Sequence, residues 1–272
     1  MPVLQSLDNT KTWRRRTNAQ QWAHWAAWFG LVALFVFSWQ VMTENTLWWF
    51  LLDAPQQAAT LAGRMTPPRW EYMDVLWKPL WDTINIATLG TLLSIVIAVP
   101  VAFLAAHNTT PSARFVRPAA LLIIVASRSI NSLIWALLLV SILGPGLLAG
   151  IIAIALRSVG FIGKLLYEAI EEIDETQVEA VRATGASGLQ VLDYGIAPQI
   201  MPAFAGITMF RWDINIREST VLGLVGAGGI GLQLSHSLNT LAWQQVSLIF
   251  VVILVTVIVS EWASARVRHA MI

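Results

Sequence analysis

Residues 83–113, TINIATLGTLLSIVIAVPVAFLAAHNTTPSA, decide the fold class. No Asp, Glu, Lys or Arg falls between Thr83 and Ala113, and the run exceeds the roughly 20 residues a helix needs to cross the hydrocarbon core of a bilayer. Three further runs share this property: Thr17–Thr43, Ser129–Leu156 and Ser219–Ser260. Of the 272 residues, 56% are hydrophobic and 12% charged, against about a quarter charged in soluble domains. Mean hydropathy is +0.64. The chain reads as an all-α, polytopic membrane protein. A net charge of +1 offers no footprint for nucleic acid. The absence of cysteine removes disulfides, thiolate nucleophiles and cysteine metal sites.

Six spans are expected, at about Trp25–Met42, Ile84–Ala106, Ala119–Leu143, Gly146–Gly163, Ile200–Gly223 and Gln244–Trp262. Tryptophans gather beside their ends: Trp22, Trp25 and Trp28 before the first, Trp48 and Trp49 after it, Trp77 and Trp81 before the second, Trp243 and Trp262 around the sixth. Indoles favour the headgroup level, so this is an aromatic belt. With both termini inside, Lys11, Arg14, Arg15, Arg16, Arg114, Arg117, Lys164, Arg182, Arg266 and Arg268 face the cytoplasm, and only Arg64, Arg69 and Lys78 lie outside. That asymmetry satisfies the positive-inside bias. The first span is longer than a signal-peptide core and lacks a nearby small-x-small cleavage site, so it is expected to stay attached. The chain then divides into residues 1–82 (cytoplasmic segment, first span, external loop), residues 83–263 (a core of five spans) and residues 264–272 (a cytoplasmic tail).

One inside loop breaks the basic pattern. Residues 164–199 carry Glu168, Glu171, Glu172, Asp174, Glu175, Glu179 and Asp193 against Lys164 and Arg182. Glu175, Glu179 and Arg182 fall on one helical face. Residues 184–188, TGASG, interrupt that helix, and Ser187 suits the cap of the next. Pro198 is expected to stop the second helix before the fifth span. A solvated acidic loop and a docking loop both fit these residues.

Charges also fall inside the spans: Arg128 in the third, Arg157 in the fourth, and Arg211, Asp213, Arg217 and Glu218 in the fifth. A charge facing lipid at mid-depth costs a few kcal/mol, so these should face protein or water. Asp213 and Arg217 are spaced to pair along the helix, and Glu218 is free to pair with Arg128 or Arg157. In one reading the charges are structural pairs. In the other, four arginines against two acids favour an anion in the pathway, because the guanidinium fork matches an oxyanion. Arg128 and Arg217 are assigned to that second role, and Arg157 and Arg211 to snorkelling or structure. The run from Gly226 to Gly231 matches G-x-G-x-x-G, but no βαβ unit surrounds it, and the next acid is Glu261. Gly226, Gly228, Gly229 and Gly231 instead suit close helix approach or a helix break beside a pathway. The four histidines form no ligand-spaced cluster, and Gly163-Lys164 lacks the rest of a P-loop. No nucleophile–base pair or H-E-x-x-H is present either, which argues against an intramembrane enzyme.

Glu179-Ala180-Val181, with Gly185 and Pro198 following at the same intervals, resembles the EAA loop of ABC importer permeases. Val181, Gly195 and Ala197 depart from that pattern. Residues 215–231, NIREST VLGLVGAGGIG, resemble the phosphonate-type permeases, as do Arg128-Ser129-Ile130-Asn131 and residues 182–186. Ser132 and Glu218 depart from those relatives. The likeness covers about residues 75–272. It implies a type I importer permease, the inner-membrane subunit of an ATP-driven system for a phosphonate, phosphite or hypophosphite. Such a subunit pairs with a second permease, here read as a homodimer, and with two cytoplasmic ATPases and a periplasmic binding protein. The chain itself would hold no cofactor, since ATP and Mg would sit on the ATPase. By the same likeness, Glu179, Ala180, Arg182, Gly185 and Pro198 would couple to the ATPase. Arg128, Asn131, Asp213, Arg217, Glu218, Ser219 and Thr220 would lie along the pathway. An ion-coupled secondary transporter of a small anion is the alternative, although no inverted repeat is apparent.

Overall fold

The computed structural model describes residues 3–5, 11–13, 16–44 and 48–271. Arg14 and Arg15, two of the orienting basic residues, lie outside the described residues. The chain divides into two compact units, Met1–Thr60 and Leu61–Ile272. In the first, β1 (Val3–Gln5) pairs antiparallel with β2 (Lys11–Trp13). Helix α1 (Asn18–Thr43) follows, its start closed by a Thr17–Gln20 capping box. No α1 side chain is buried, and Trp22, Phe29 and Phe35 stand exposed, a surface suited to lipid. The segment expected as an external loop instead contains helix α2 (Trp48–Met65). Its alanines and glutamines are good helix formers, and Gln57 donates to Asp53 one turn back at 2.6 Å.

The second unit is built on α3 (Met73–Ala105) and α6 (Leu147–Glu171), which pack along most of their length. Around them lie α4 (Val116–Ser129), α5 (Ser132–Leu143), α9 (Ala197–Leu222), α10 (Ile230–Asn239) and α11 (Trp243–Met271). On one end sit the short α7 (Glu175–Ala183) and α8 (Gly188–Val191). Among the described residues, four helices are individually long and apolar enough to cross a membrane, and up to six spans result when each of two bent pairs counts as one.

Several boundaries differ from the sequence expectation. The second span begins at Met73 rather than Ile84, the fourth ends at Glu171 rather than Gly163, and the sixth runs on through Met271. Hydropathy marks only the apolar middle of a helix, whereas backbone bonding continues into polar surroundings, as where Lys164 pairs with Glu168 at 3.4 Å. The expected third span is broken. α4 and α5 meet at 87°, where Asn131 is extended and accepts the Leu133 N–H at 3.1 Å as the cap of α5. Pro198 does not stop a helix. A π-helical turn at Leu192–Ile196 leads from α8 into α9, and Pro198 occupies its first turn, where the missing N–H has no partner to lose.

Small residues let these helices approach. A Cβ on Gly160 of α6 would lie 2.5 Å from the Ile124 carbonyl of α4, and one on Gly90 of α3 would lie 2.7 Å from Ile154 of α6. Ser127 stitches the α4–α6 seam, donating to the Leu156 carbonyl and accepting the Gly160 N–H at 2.8 Å. This is the small-residue packing of bilayer helices.

The seam yields a paired prediction. Gly160→Val should lower stability by about 1–3 kcal/mol through overpacking. Gly206→Ala, where nothing lies within 4 Å of the added carbon, should be neutral or stabilise by about 0.5–1 kcal/mol. Thermal unfolding of the purified protein in detergent distinguishes the two.

Candidate coupling and translocation sites

The acidic loop folds as helix–turn–helix. Asp174 caps α7 by accepting the Thr176 N–H at 2.9 Å. Gly185 ends that helix in the left-handed conformation, φ +83°, donating to the Arg182 carbonyl at 3.0 Å. Ser187 starts α8 in a capping box with Gln190. Val178 turns inward and packs with Ala102, Leu166, Ile170, Val191 and Ile200 from α3, α6, α8 and α9. Glu179, Ala180, Arg182 and Gly185 are all exposed. Glu179 and Arg182 form no ion pair with each other; they line a small cavity of about 110 Å³ with Asn108 and Thr109. Ala180, Thr184 and Gly185 border an open groove of about 710 Å³. Pro198 is exposed at the start of α9, and its neighbour Gln199 accepts the Asp174 N–H at 2.9 Å.

Sequence reading missed a clasp beneath this surface. Glu171 Oε1, at the end of α6, accepts from Arg117 at 3.1 Å and from the His107 N–H at 2.8 Å, with His107 Nδ1 also 3.1 Å away. Arg117 Nε donates to the Ala105 carbonyl at 3.0 Å. The turn after α3 is thereby tied to the end of α6. The signal was present only as opposite charges far apart in the chain, and charge spacing along one helix cannot register it.

Within the spans the charges sort into two groups. Arg217 pairs with Asp213, whose other oxygen accepts from Ser260 of α11 at 2.8 Å. Glu218 sits between Arg157 Nε at 3.3 Å and Arg211 at 3.4 Å; of its two expected partners it takes Arg157 and not Arg128. Of the two roles expected for Arg157 and Arg211, snorkelling or structure, Arg211 takes the structural one. It is 2% exposed, donates to Ser158 at 2.9 Å and lies 5.2 Å above the Phe161 ring. Ser158 continues to Asn215 at 3.2 Å, and Asn215 to Thr91 at 2.8 Å, so a polar thread joins α6, α9 and α3. A buried guanidinium persists only when paired and hydrogen-bonded in this way.

The remaining expected pathway residues lie apart. Arg128 is exposed at the end of α4 and Asn131 caps α5. Ser219 is fully buried and donates to the Thr83 carbonyl of α3 at 3.2 Å. Thr220 donates to the Arg217 carbonyl at 2.7 Å. The glycine run does break the helix: Gly226, Gly228 and Gly229 all have positive φ. The break is held by Gly146 N–H to the Gly226 carbonyl at 3.0 Å and by Ile230 N–H to Thr83 at 2.8 Å. Gly231 lies so close to Thr220 that any side chain there would meet its carbonyl. Ser158→Ala should leave Arg211 short of an acceptor and lower stability by about 1–3 kcal/mol, measured as loss of folded protein on heating in detergent.

Comparison with known proteins accords with this architecture. Residues 82–269 match the family model described as the binding-protein-dependent transport system inner membrane component. The chain is 40% identical over 240 residues to the phosphite transport system permease protein PtxC of Stutzerimonas stutzeri, covering 88% of this chain and 86% of that one. It is 38% identical over 222 residues to the phosphate-import permease protein PhnE of Mycolicibacterium smegmatis, covering 82% of this chain and 42% of that one. Among solved structures, an inward-facing form of the MetNI methionine ABC transporter superposes with a TM-score of 0.64 at 23% identity, covering 75% of this chain and 99% of that one. A bacterial alginate ABC transporter superposes with a TM-score of 0.54 at 18% identity, covering 89% and 99%. The fold is that of an ABC importer permease, and the expected alternative of an ion-coupled secondary transporter falls away. With a break-and-bundle core that the family model spans almost end to end, the chain belongs to the binding-protein-dependent transport system inner membrane components, transport subunits rather than enzymes.

Proposed function

We propose that this chain forms the translocation pathway of an importer for a small phosphorus oxyanion, phosphite or a phosphonate. The observation that carries the reading is the 40% identity to a phosphite permease over nearly the whole of both chains. Local chemistry supports it: four intramembrane arginines face two acids, and a positive potential along a pathway favours anions. Two copies of the permease would line the route. A periplasmic binding protein would deliver the anion, and two cytoplasmic ATPases holding ATP and Mg would drive it. The outward face of α7, with Glu179, Ala180, Arg182 and Gly185, is the ATPase contact in this reading, and Pro198 positions it through the start of α9. The inward Val178 seat would pass a push on α7 to the ends of α3, α6 and α9. Asn131 at the α4–α5 corner and the Gly226–Gly231 break flank the pathway as gate elements, while Ser219 serves packing.

Glu179→Lys, and separately Gly185→Val, should leave the permease in the membrane yet abolish ATPase co-purification and lower phosphite uptake by about tenfold or more. The bulky replacement is strained at φ +83°. An intact complex with normal uptake would overturn the coupling assignment. The proposed orientation places both termini in the cytoplasm of a bacterial inner membrane. The native chain lacks cysteine, so single replacements report position cleanly. Gln57→Cys should react with an impermeant maleimide in intact cells lacking an outer-membrane barrier. Gln5→Cys and Ala270→Cys should react only after permeabilisation.

A further inference from the structure

The open face of α6 is charged. Arg157, Phe161, Lys164 and Glu168 follow one another at spacings of four, three and four, and all are only partly buried, so they share one side of the helix. α4 borders this side at Gly160, and α9 borders it through Glu218 and Phe210. Away from α6, a groove of about 470 Å³ between α3, α9 and α11 is lined by Trp77, Val251, Val255 and Val259. A charged stripe is excluded from hydrocarbon. The apolar groove therefore faces lipid, and the stripe faces water or protein.

Within the stripe, Arg157 is distinguished by what its guanidinium leaves open. Its one ion pair is with Glu218, through Nε at 3.3 Å, and its terminal nitrogens make no hydrogen bond among the described residues. Arg128 has no ion pair among the described residues, and its stem lies against Gly160, one turn of α6 from Arg157. Arg211 has no such freedom, since Ser158, Glu218 and the Phe161 ring enclose it. Arg217 is neutralised by Asp213, which Ser260 also holds.

We infer that Arg157 and Arg128 are the pair that contacts the passing oxyanion, and that Glu218 is the counter-ion Arg157 gives up when the anion arrives. This rests on the phosphorus-oxyanion reading above. Glu218 keeps Arg211 when Arg157 turns away, so no carboxylate is stranded in the membrane. Two guanidinium groups against one carboxylate leave one positive charge, and Arg128 supplies a second. The site therefore matches a doubly charged phosphorus oxyanion, which the open fork of Arg157 can grip with two parallel hydrogen bonds. Competition from Glu218 keeps that grip weak enough for release, as conduction requires.

The test is uptake of phosphite by the complete complex, with its ATPase and binding protein, in proteoliposomes. Arg157→Gln should assemble yet lower the uptake rate about tenfold or more, and Arg157→Lys, with charge but no fork, should retain an intermediate rate. If Arg157→Gln fails to assemble, the double variant Arg157→Gln, Glu218→Gln removes both charges. Assembly regained with uptake still low supports the inference. Uptake restored to the native rate by the double variant, or unchanged in Arg157→Gln, overturns it and leaves Arg157 a structural counter-ion. Native complex that takes up no phosphorus oxyanion would instead refute the substrate reading itself.

Discussion

The close approach that α6 permits sets the rest of the bundle. Hydrocarbon gives helices no hydrophobic reason to associate, so contact must come from fit and from hydrogen bonds between them. Gly160 brings the α4 backbone against α6, and Ile154 fills the hollow left by Gly90 on α3. Ser127 then closes the α4–α6 seam through the backbone of α6. From that seam follow the placement of Arg128 one turn from Arg157 and the exposure of a single charged face. The same face would be lost if α4 were held further out, because the guanidinium groups would no longer share one side of the bundle.

Charge in the membrane is handled in two ways, and the proposed anion contacts rest on the difference. Arg211 is enclosed by Ser158 and Phe161 of α6 and by Glu218 of its own helix, and Asp213 is shared between Arg217 and Ser260. Both arrangements pair the charge and hydrogen-bond it locally, which is the condition for burying charge at all. Arg157 and Arg128 are incompletely satisfied, and their free donors are the chemistry an anion needs. The polar thread from Arg211 through Ser158 and Asn215 to Thr91 holds α9 in register with α6 and α3. It thereby keeps Glu218 within reach of Arg157.

At the end of the bundle that carries α7, the packing is hydrophobic. α7 is polar on its outer side and roots itself through Val178 in a cluster drawn from four helices. The clasp of Glu171 with Arg117 and His107 fixes the turn below it. A short helix of this kind has too few internal bonds to stand alone, so its position is dictated by the bundle. In the proposed coupling, that dependence would pass a push on α7 to the ends of α3, α6 and α9.

The sequence by itself determined the all-α membrane class, the number of hydrophobic runs and the acidic helix–turn–helix, because each is written in local composition and spacing. It also determined the Asp213–Arg217 pair, which one helix contains. Only the tertiary structure decided the corner at Asn131, since a short polar stretch such as residues 128–132 reads the same whether a helix passes straight through it or is capped partway. It decided too that Pro198 opens α9, because the π turn before it depends on how α8 is seated. Above all it decided which arginines are enclosed and which are open. Arg217 has its partner one turn away in the chain, but Arg128, Arg157 and Arg211 carry no such local signal: Arg157 meets Glu218, and Arg211 meets Ser158 and the Phe161 ring, across helices that no local pattern brings together.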